Sequence, residues 1–283
     1  MTTTPTQADL TALWNGPSAT RWLAGQEALD RMLEPLGRAA LERAAVAPGE
    51  RVVDVGCGCG TTTLEIAAAV GPAGSVVGVD VSAPMLARAE ERARARGLTN
   101  ASFVLGDAAE VRLDAPADAL FSRFGVMFFA EPERAFSNLL AMLRPGGRLA
   151  FVCWRALVEN PWARLPFEAT ARALAAPPPP LDAPGPGPFA FADRARLRGI
   201  LEAARFEAVS IDAFDAEITL GGDPAGAVDF ALVSGPASRL LVGADEATVA
   251  RARAAIEAAL APFSSAGAVR LPAATWLVSA RRG

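Results

Sequence analysis

The residues most able to do chemistry are gathered in Arg51-Val-Val-Asp-Val-Gly-Cys-Gly-Cys-Gly60, which runs directly into Thr61. Gly56, Gly58 and Gly60 permit a turn closed to residues with side chains, and they let a ligand approach bare backbone. Residues 51–55 have the β-branched apolar character of a short buried strand. Thr61 to Val70 follows with helical spacing, so the loop opens onto a helix N-terminus with free N–H groups. Strand, glycine loop and helix in this order suit a nucleotide-type ligand. Asp54 narrows the choice, because a carboxylate at the strand end repels a pyrophosphate and attracts an ammonium group. The dinucleotide fingerprint G-x-G-x-x-G is also broken, since position 61 is threonine.

A second strand is expected over Ser75 to Val81. It carries Asp80 about twenty residues beyond the loop, where folds of this type use an acid for ribose hydroxyls. A ligand with an adenosine end and a cationic amino-acid end fits both carboxylates, and S-adenosylmethionine has both. On these residues the chain resembles the class I S-adenosylmethionine-dependent methyltransferases, whose first motif is an acid followed by G-x-G-x-G. Leu143-Arg-Pro-Gly-Gly147 also matches the family, as a structural corner before the fifth strand.

The resemblance covers roughly residues 50 to 155 and is specific for cofactor, not for substrate. It implies that Asp107, after a third strand at Ala101 to Leu105, accepts a hydrogen bond from the adenine amino group, flanked by Gly106 and Ala108. It also implies that the fourth strand, Asp118 to Arg123, ends near the methyl group, so that Ser122 and Arg123 meet the methionine part or the substrate. A structural carboxylate holding Arg123 is the rival reading, and Asp107 as a plain turn residue is another. The expected cofactor contacts are therefore Asp54, Gly56, Cys57, Gly58, Gly60, Thr61, Asp80, Val81, Met85, Gly106, Asp107, Ala108, Ser122 and Arg123. Met85 is read equally well as a core residue. No catalytic residue is assigned.

Composition excludes whole classes of chemistry. All 27 basic residues are arginine, and the chain has no lysine, histidine or tyrosine. That removes a Ser-His-Asp triad, a Cys-His pair, a His-ligated metal, a Schiff-base lysine and a Walker A lysine. Any general base must be Asp, Glu, Cys or water, with Glu131 and Glu159 as weak candidates. Cys57, Cys59 and Cys153 have no metal spacing and read as free thiols, so no metal is expected. A net charge of -4 argues against nucleic acid as the main partner. No apolar run reaches membrane-spanning length, and Met1-Thr-Thr-Thr-Pro-Thr is no leader, so the reading is soluble and cytoplasmic. The sequence leaves monomer and homodimer open.

These elements amount to an α/β, Rossmann-like, doubly wound sheet of seven strands, the last antiparallel by analogy with the family. The expected organisation is an N-terminal helical lid over 1–47, a cofactor-binding core over 48–154, a substrate-cover insertion with a Pro-rich connector over 155–190, and the remainder of the core with extra helices over 191–283. Within it, Pro177 to Pro188 reads as extended connector, Phe189-Ala-Phe191 as able to reach the pocket, and 223–241 as one helix. The candidate substrate contacts are aromatic: Trp14 and Trp22 on the lid, Phe124 and Phe128 after the fourth strand, Trp154 and Trp162 around the insertion.

The leading expectation is methyl transfer by in-line displacement to a small, hydrophobic or aromatic acceptor at N, S, O or activated carbon. It looks similar to the ubiquinone/menaquinone-biosynthesis type. Two alternatives remain: a nicotinamide-dependent oxidoreductase, disfavoured by Thr61 and Asp54, and a non-catalytic S-adenosylmethionine-binding protein.

Overall fold

The computed structural model describes residues 6–174, 185–221, 223–233 and 235–283. Its centre is a mixed sheet whose first five strands are β1 (Arg51–Val55), β2 (Ser75–Asp80), β3 (Ala101–Leu105), β4 (Ala117–Arg123) and β5 (Leu143–Trp154). These run parallel to one another. The sheet continues with β6 (Glu207–Leu220) and β8 (Ala268–Arg281), and the two-residue β7 (Ser264–Ser265) pairs beside β8. The order is β3-β2-β1-β4-β5-β8-β6, with β8 antiparallel to both neighbours. The expected doubly wound sheet with a reversed last strand is therefore present.

Helices cover the sheet because its central strands are apolar on both faces. Val52, Val53 and Val55 of β1 and Leu120 and Phe121 of β4 are all buried, as parallel strands require. The crossovers are α4 (Thr61–Val70), α5 (Ala83–Ala95) and α6 (Pro132–Met142). Ahead of the sheet stand α1 (Gln7–Asn15), α2 (Pro17–Ala24) and α3 (Gln26–Ala44). α3 buries Leu29, Met32, Leu33, Leu36 and Ala40, the three-and-four spacing of one helix face. After β5 come α7 (Pro161–Ala173) and α8 (Arg194–Ala203), and β6 is followed by α9 (Pro224–Val233), α10 (Pro236–Leu240) and α11 (Glu246–Leu260). Among the described residues no helix is long and apolar enough to cross a membrane.

Two local expectations change. The single helix expected over 223–241 is two, α9 and α10, divided before Pro236, whose ring cannot continue a helix from the preceding turn. Of the Pro-rich connector expected over Pro177 to Pro188, residues 177–184 lie outside the described residues. Phe189 and Phe191 do not reach the pocket. Both are buried in the main core, Phe191 with its ring 5.9 Å from that of Phe136, and it is Pro188 that borders the pocket.

The strand order reverses between β1 and β4, which leave their shared edge toward crossovers on opposite sides. The crevice beyond their carboxyl ends is where an open α/β sheet binds ligands.

Candidate active site

Gly56 opens the crevice. Its φ is +68°, and a Cβ there would fall 2.7 Å from the Cα of Gly125, so the loops after β1 and β4 meet backbone to backbone. The loop then folds onto the end of β2. The N–H groups of Gly56 and Cys57 donate to Val79 O at 2.8 and 3.2 Å, and Gly58 N–H donates to Asp80 Oδ2 at 2.7 Å. Asp80 Oδ1 accepts from Ser82 N–H at 2.9 Å. Burial pushes the Asp80 carboxyl above its ordinary range, opposed by the backbone N–H groups of Gly58 and Ser82. One strand over, Asp107 Oδ1 accepts from Ala109 N–H at 2.8 Å, and its carboxyl is likewise raised by burial.

A single pocket joins most of the predicted residues. Gly56, Cys57, Gly58 and Thr61 line it from the first loop, Asp80, Val81 and Met85 from the second, and Gly106, Asp107 and Ala108 from the third. Arg123 closes it from β4. Facing these, Trp14, Trp22, Phe124, Phe128, Trp154 and Trp162 form the apolar side.

Three expected contacts lie off the pocket wall. Asp54 is fully buried behind the loop, where Oδ2 accepts from the hydroxyls of Thr62 and Thr63, both at 2.7 Å. It anchors the first turn of α4 from within, a favourable place for negative charge. Desolvation raises its pKa to about 6 in spite of the two threonines. Gly60 serves packing, since a Cβ there would come 2.8 Å from Ala89 Cβ of α5. Ser122 is fully buried, donating to Val55 O at 2.7 Å and accepting from Gly125 N–H at 3.2 Å, so it braces the turn after β4.

Arg123 has the structural partner that the sequence left open. Its Nη2 lies 3.0 Å from Asp30 Oδ1 on α3. Asp30 Oδ2 also accepts from Thr61 Oγ1 at 2.7 Å and from Gln26 Nε2 at 2.8 Å, and Arg92 stands 3.4 Å away. Desolvation raises the Asp30 carboxyl, but Arg123, Thr61 and Gln26 together bring it below its usual range.

The aromatic side is a connected surface. Trp14 meets Trp22 and Phe128 edge-on, with ring centroids 5.9 and 5.2 Å apart. Phe124 stacks on Trp154 at 4.3 Å, and Trp154 lies 4.7 Å from Trp162. Phe124 adopts φ +63°, a left-handed conformation that costs a residue with a Cβ about 1–2 kcal/mol and clusters at functional sites. Trp162 is held by Asn160, whose Oδ1 accepts from Trp162 Nε1 and from Ala274 N–H, both at 3.0 Å.

Several participants were not read from the sequence. Asn15 docks α1 onto the second loop: Nδ2 donates to Val81 O at 2.8 Å, and Oδ1 accepts from Ala83 N–H at 3.0 Å. It replaces Ser82, the N-cap of α5, whose own side chain makes no capping bond. Arg21, Phe230 and Arg239 also line the pocket. Only contact in three dimensions marks them, because each stands in an otherwise ordinary helical segment. Neither Glu131 nor Glu159 borders it, and Glu159 is paired with Arg155. Burial raises the Cys59 thiol to about 11 and the Cys57 thiol well above the ordinary range, while Cys153 is core.

Residues 52–147 match the model of the methyltransferase domain family. An uncharacterised protein of Mycobacterium tuberculosis is 31% identical over 197 residues, which is 66% of this chain and 70% of that protein. The chain carries, over residues 52–147, a methyltransferase domain of the class I S-adenosylmethionine-dependent type. Aklanonic acid methyltransferase from a Streptomyces species is 34% identical over 118 residues, 41% of this chain and 54% of that enzyme. Of the relatives with methyltransferase names heading the comparison, the chain matches between 28% and 54% of their own length. A putative methyltransferase of Bacillus halodurans has the same fold, with a TM-score of 0.56 at 17% identity over 87% of this chain and 98% of its own. The family's cofactor is S-adenosylmethionine, and the pocket fits it. Each Asp80 oxygen has one N–H donor and spare acceptor capacity for a ribose hydroxyl. Asp107 borders the same pocket, and the close approach of Gly56 to Gly125 keeps side chains out of the crevice.

Proposed function

We propose that the protein transfers the methyl group of S-adenosylmethionine to a small aromatic acceptor. The observation that carries this reading is the two-sided pocket: Asp80, Asp107 and the glycine loop on one side, and an aromatic surface from Trp14 to Trp162 on the other. Asp80 would hold the ribose hydroxyls, Asp107 the adenine amino group, and the loop from Gly56 to Gly58 the amino-acid end. When bound, the cofactor supplies an electrophilic methyl on a positively charged sulfur. The protein's part is alignment. Phe124, Trp154 and Phe128 would fix a flat acceptor with its nucleophilic atom about 3 Å from the methyl carbon, and such alignment contributes on the order of 7–11 kcal/mol in favourable cases.

Among the described residues no strong base is available at that position. Asp30 is occupied by Arg123, and the cysteines bordering the pocket are held protonated by burial. The acceptor is therefore one that arrives nucleophilic, such as a carboxylate, a thiolate, an amine or an activated ring carbon. Residues 1–47 would act as the cover, with α1 and α2 closing over the bound pair. Calorimetry with S-adenosylhomocysteine and with NAD tests the cofactor, and radiolabelled methyl transfer to a panel of aromatic acceptors tests the reaction. Tight binding of NAD without S-adenosylhomocysteine binding would overturn the assignment.

A further inference from the structure

The pocket carries charges of both signs. Asp80 and Asp107 stand at the glycine-loop end. Arg21 on α2, beside Trp22, and Arg239 on α10 also line the pocket. Arg123 also borders the pocket, but Asp30 neutralises it. Arg21 and Arg239 have no such compensation. Among the described residues neither forms an ion pair, and the hydrogen bond given by the Arg21 guanidinium is to a neutral hydroxyl, Ser18 Oγ at 3.2 Å.

Both side chains line the same pocket. Arg239 remains accessible to solvent, yet its pKa is depressed first by the protein packed around it and then by the charge of Arg21. Arg239 is thus an exposed side chain on the wall of the pocket. Two like charges facing one cavity, neither paired with an acid among the described residues, repel each other and cost stability. An anion between them relieves that cost and receives planar, two-pronged hydrogen bonds from guanidinium groups.

The surroundings define the rest of such a ligand. Gly235, at the N-cap of α10, is 3.8 Å from the Trp162 ring by its would-be Cβ, and Trp162 continues through Trp154 to Phe124. The helix that carries Arg239 thus begins against the aromatic wall, and Arg21 directly precedes Trp22, another residue of that wall.

We propose that Arg21 and Arg239 form an anion clamp that selects acceptors bearing a carboxylate or phosphate on an aromatic body. This rests on the reading of the aromatic end as the acceptor site. It adds charge to an acceptor so far defined only by size and shape, and it explains why an apolar chamber holds two unpaired cations.

The test is calorimetric titration of the full-length protein with 2-naphthoate, 2-naphthyl phosphate and the uncharged 2-naphthamide, each with and without S-adenosylhomocysteine. At least one anion should bind tenfold or more tightly than the amide, and the tighter of the two identifies the group. Arg21→Gln and Arg239→Gln should each reduce that preference at least fivefold and together abolish it, while Arg239→Lys retains part. Retained S-adenosylhomocysteine binding in each variant reports that it is folded. Equal affinity for anion and amide, no measurable binding of either anion, or a preference surviving in the double variant would overturn the clamp. If S-adenosylhomocysteine does not bind while the anion preference holds, the methyltransferase reading fails and the clamp stands.

Discussion

Asp30 of α3 and Arg123 at the end of β4, ninety-three positions apart, meet at 3.0 Å beside the glycine loop. Their side chains are 17% and 11% exposed, so removing one leaves the other poorly solvated. Breaking a buried pair from one side typically costs 3–5 kcal/mol. Thr61 and Gln26 also bond to Asp30, so the loop and the N-terminal helices share the loss.

Asp30→Asn is therefore expected to destabilise the protein by about 3 kcal/mol and to weaken S-adenosylhomocysteine binding. Urea denaturation and calorimetry measure the two effects. Asp30→Asn combined with Arg123→Gln should recover part of the stability, because no charge is then stranded. A single variant as stable as the parent would show that the pair is solvent-screened and structurally idle.

What the sequence made legible here follows physical range. β1, the glycine loop, α4 and β3 were readable because their signals are local: β-branched runs, glycine spacing and helical periodicity. Asp80 and Asp107 were readable because strand ends on a parallel sheet fix where such groups emerge. Asp54 belonged to the motif, but its orientation did not follow from it. Side chains alternate along β1, and whether Asp54 faces the ligand or the start of α4 is decided by Thr62 and Thr63. Arg21, Arg239 and Asn15 carry no local signal at all, since packing between distant helices brings them to the pocket.

Asn15 offers a sharper test of the N-terminal cover. Its side chain makes two hydrogen bonds to the segment just after Asp80, and neither is replaced when it is truncated. Asn15→Ala is expected to cost roughly 1–2 kcal/mol at this contact. S-adenosylhomocysteine should dissociate about tenfold faster, and amides of α1 should exchange sooner. Stopped-flow displacement and hydrogen exchange read these directly. Unchanged dissociation would mean that α1 does not retain the ligand.

Asp80 and Asp54 should separate in their effects, although both flank one loop. Asp80 borders the pocket, so Asp80→Ala is expected to lower S-adenosylhomocysteine affinity about a hundredfold, with a smaller loss for Asp80→Asn. Asp54 lies behind the loop, so Asp54→Ala should first lower the melting temperature through the loss of its two threonine partners. Calorimetry and thermal unfolding on both variants decide it. Equal losses of affinity at matched stability would place the two carboxylates in the same role.

The pH dependence of Asp54 gives a signed prediction. Its carboxyl rises from 3.8 to about 6 in the folded protein, desolvation outweighing the hydrogen bonds from Thr63 and Thr62 and the nearby charge of Arg123, with Asp80 adding to the rise. Between these values the native state keeps a proton that the unfolded chain has released. The stability tied to this group is complete below about 3.8, falls as pH rises, and is gone above about 6. A rise of this size corresponds to about 3 kcal/mol. Asp30, Glu50 and Asp118 are lowered and act in the opposite sense, so the parent's own profile mixes the two. Asp54→Asn isolates one group, because asparagine resembles the protonated acid and still accepts from the threonine hydroxyls. The variant should gain on the parent by about 3 kcal/mol between pH 4 and 6, with a constant difference above that. Urea midpoints at half-unit pH steps measure it. A difference that stays flat across the interval would mean that Asp54 is ionised throughout, with its buried Oδ1 compensated by a group that the fold does not display.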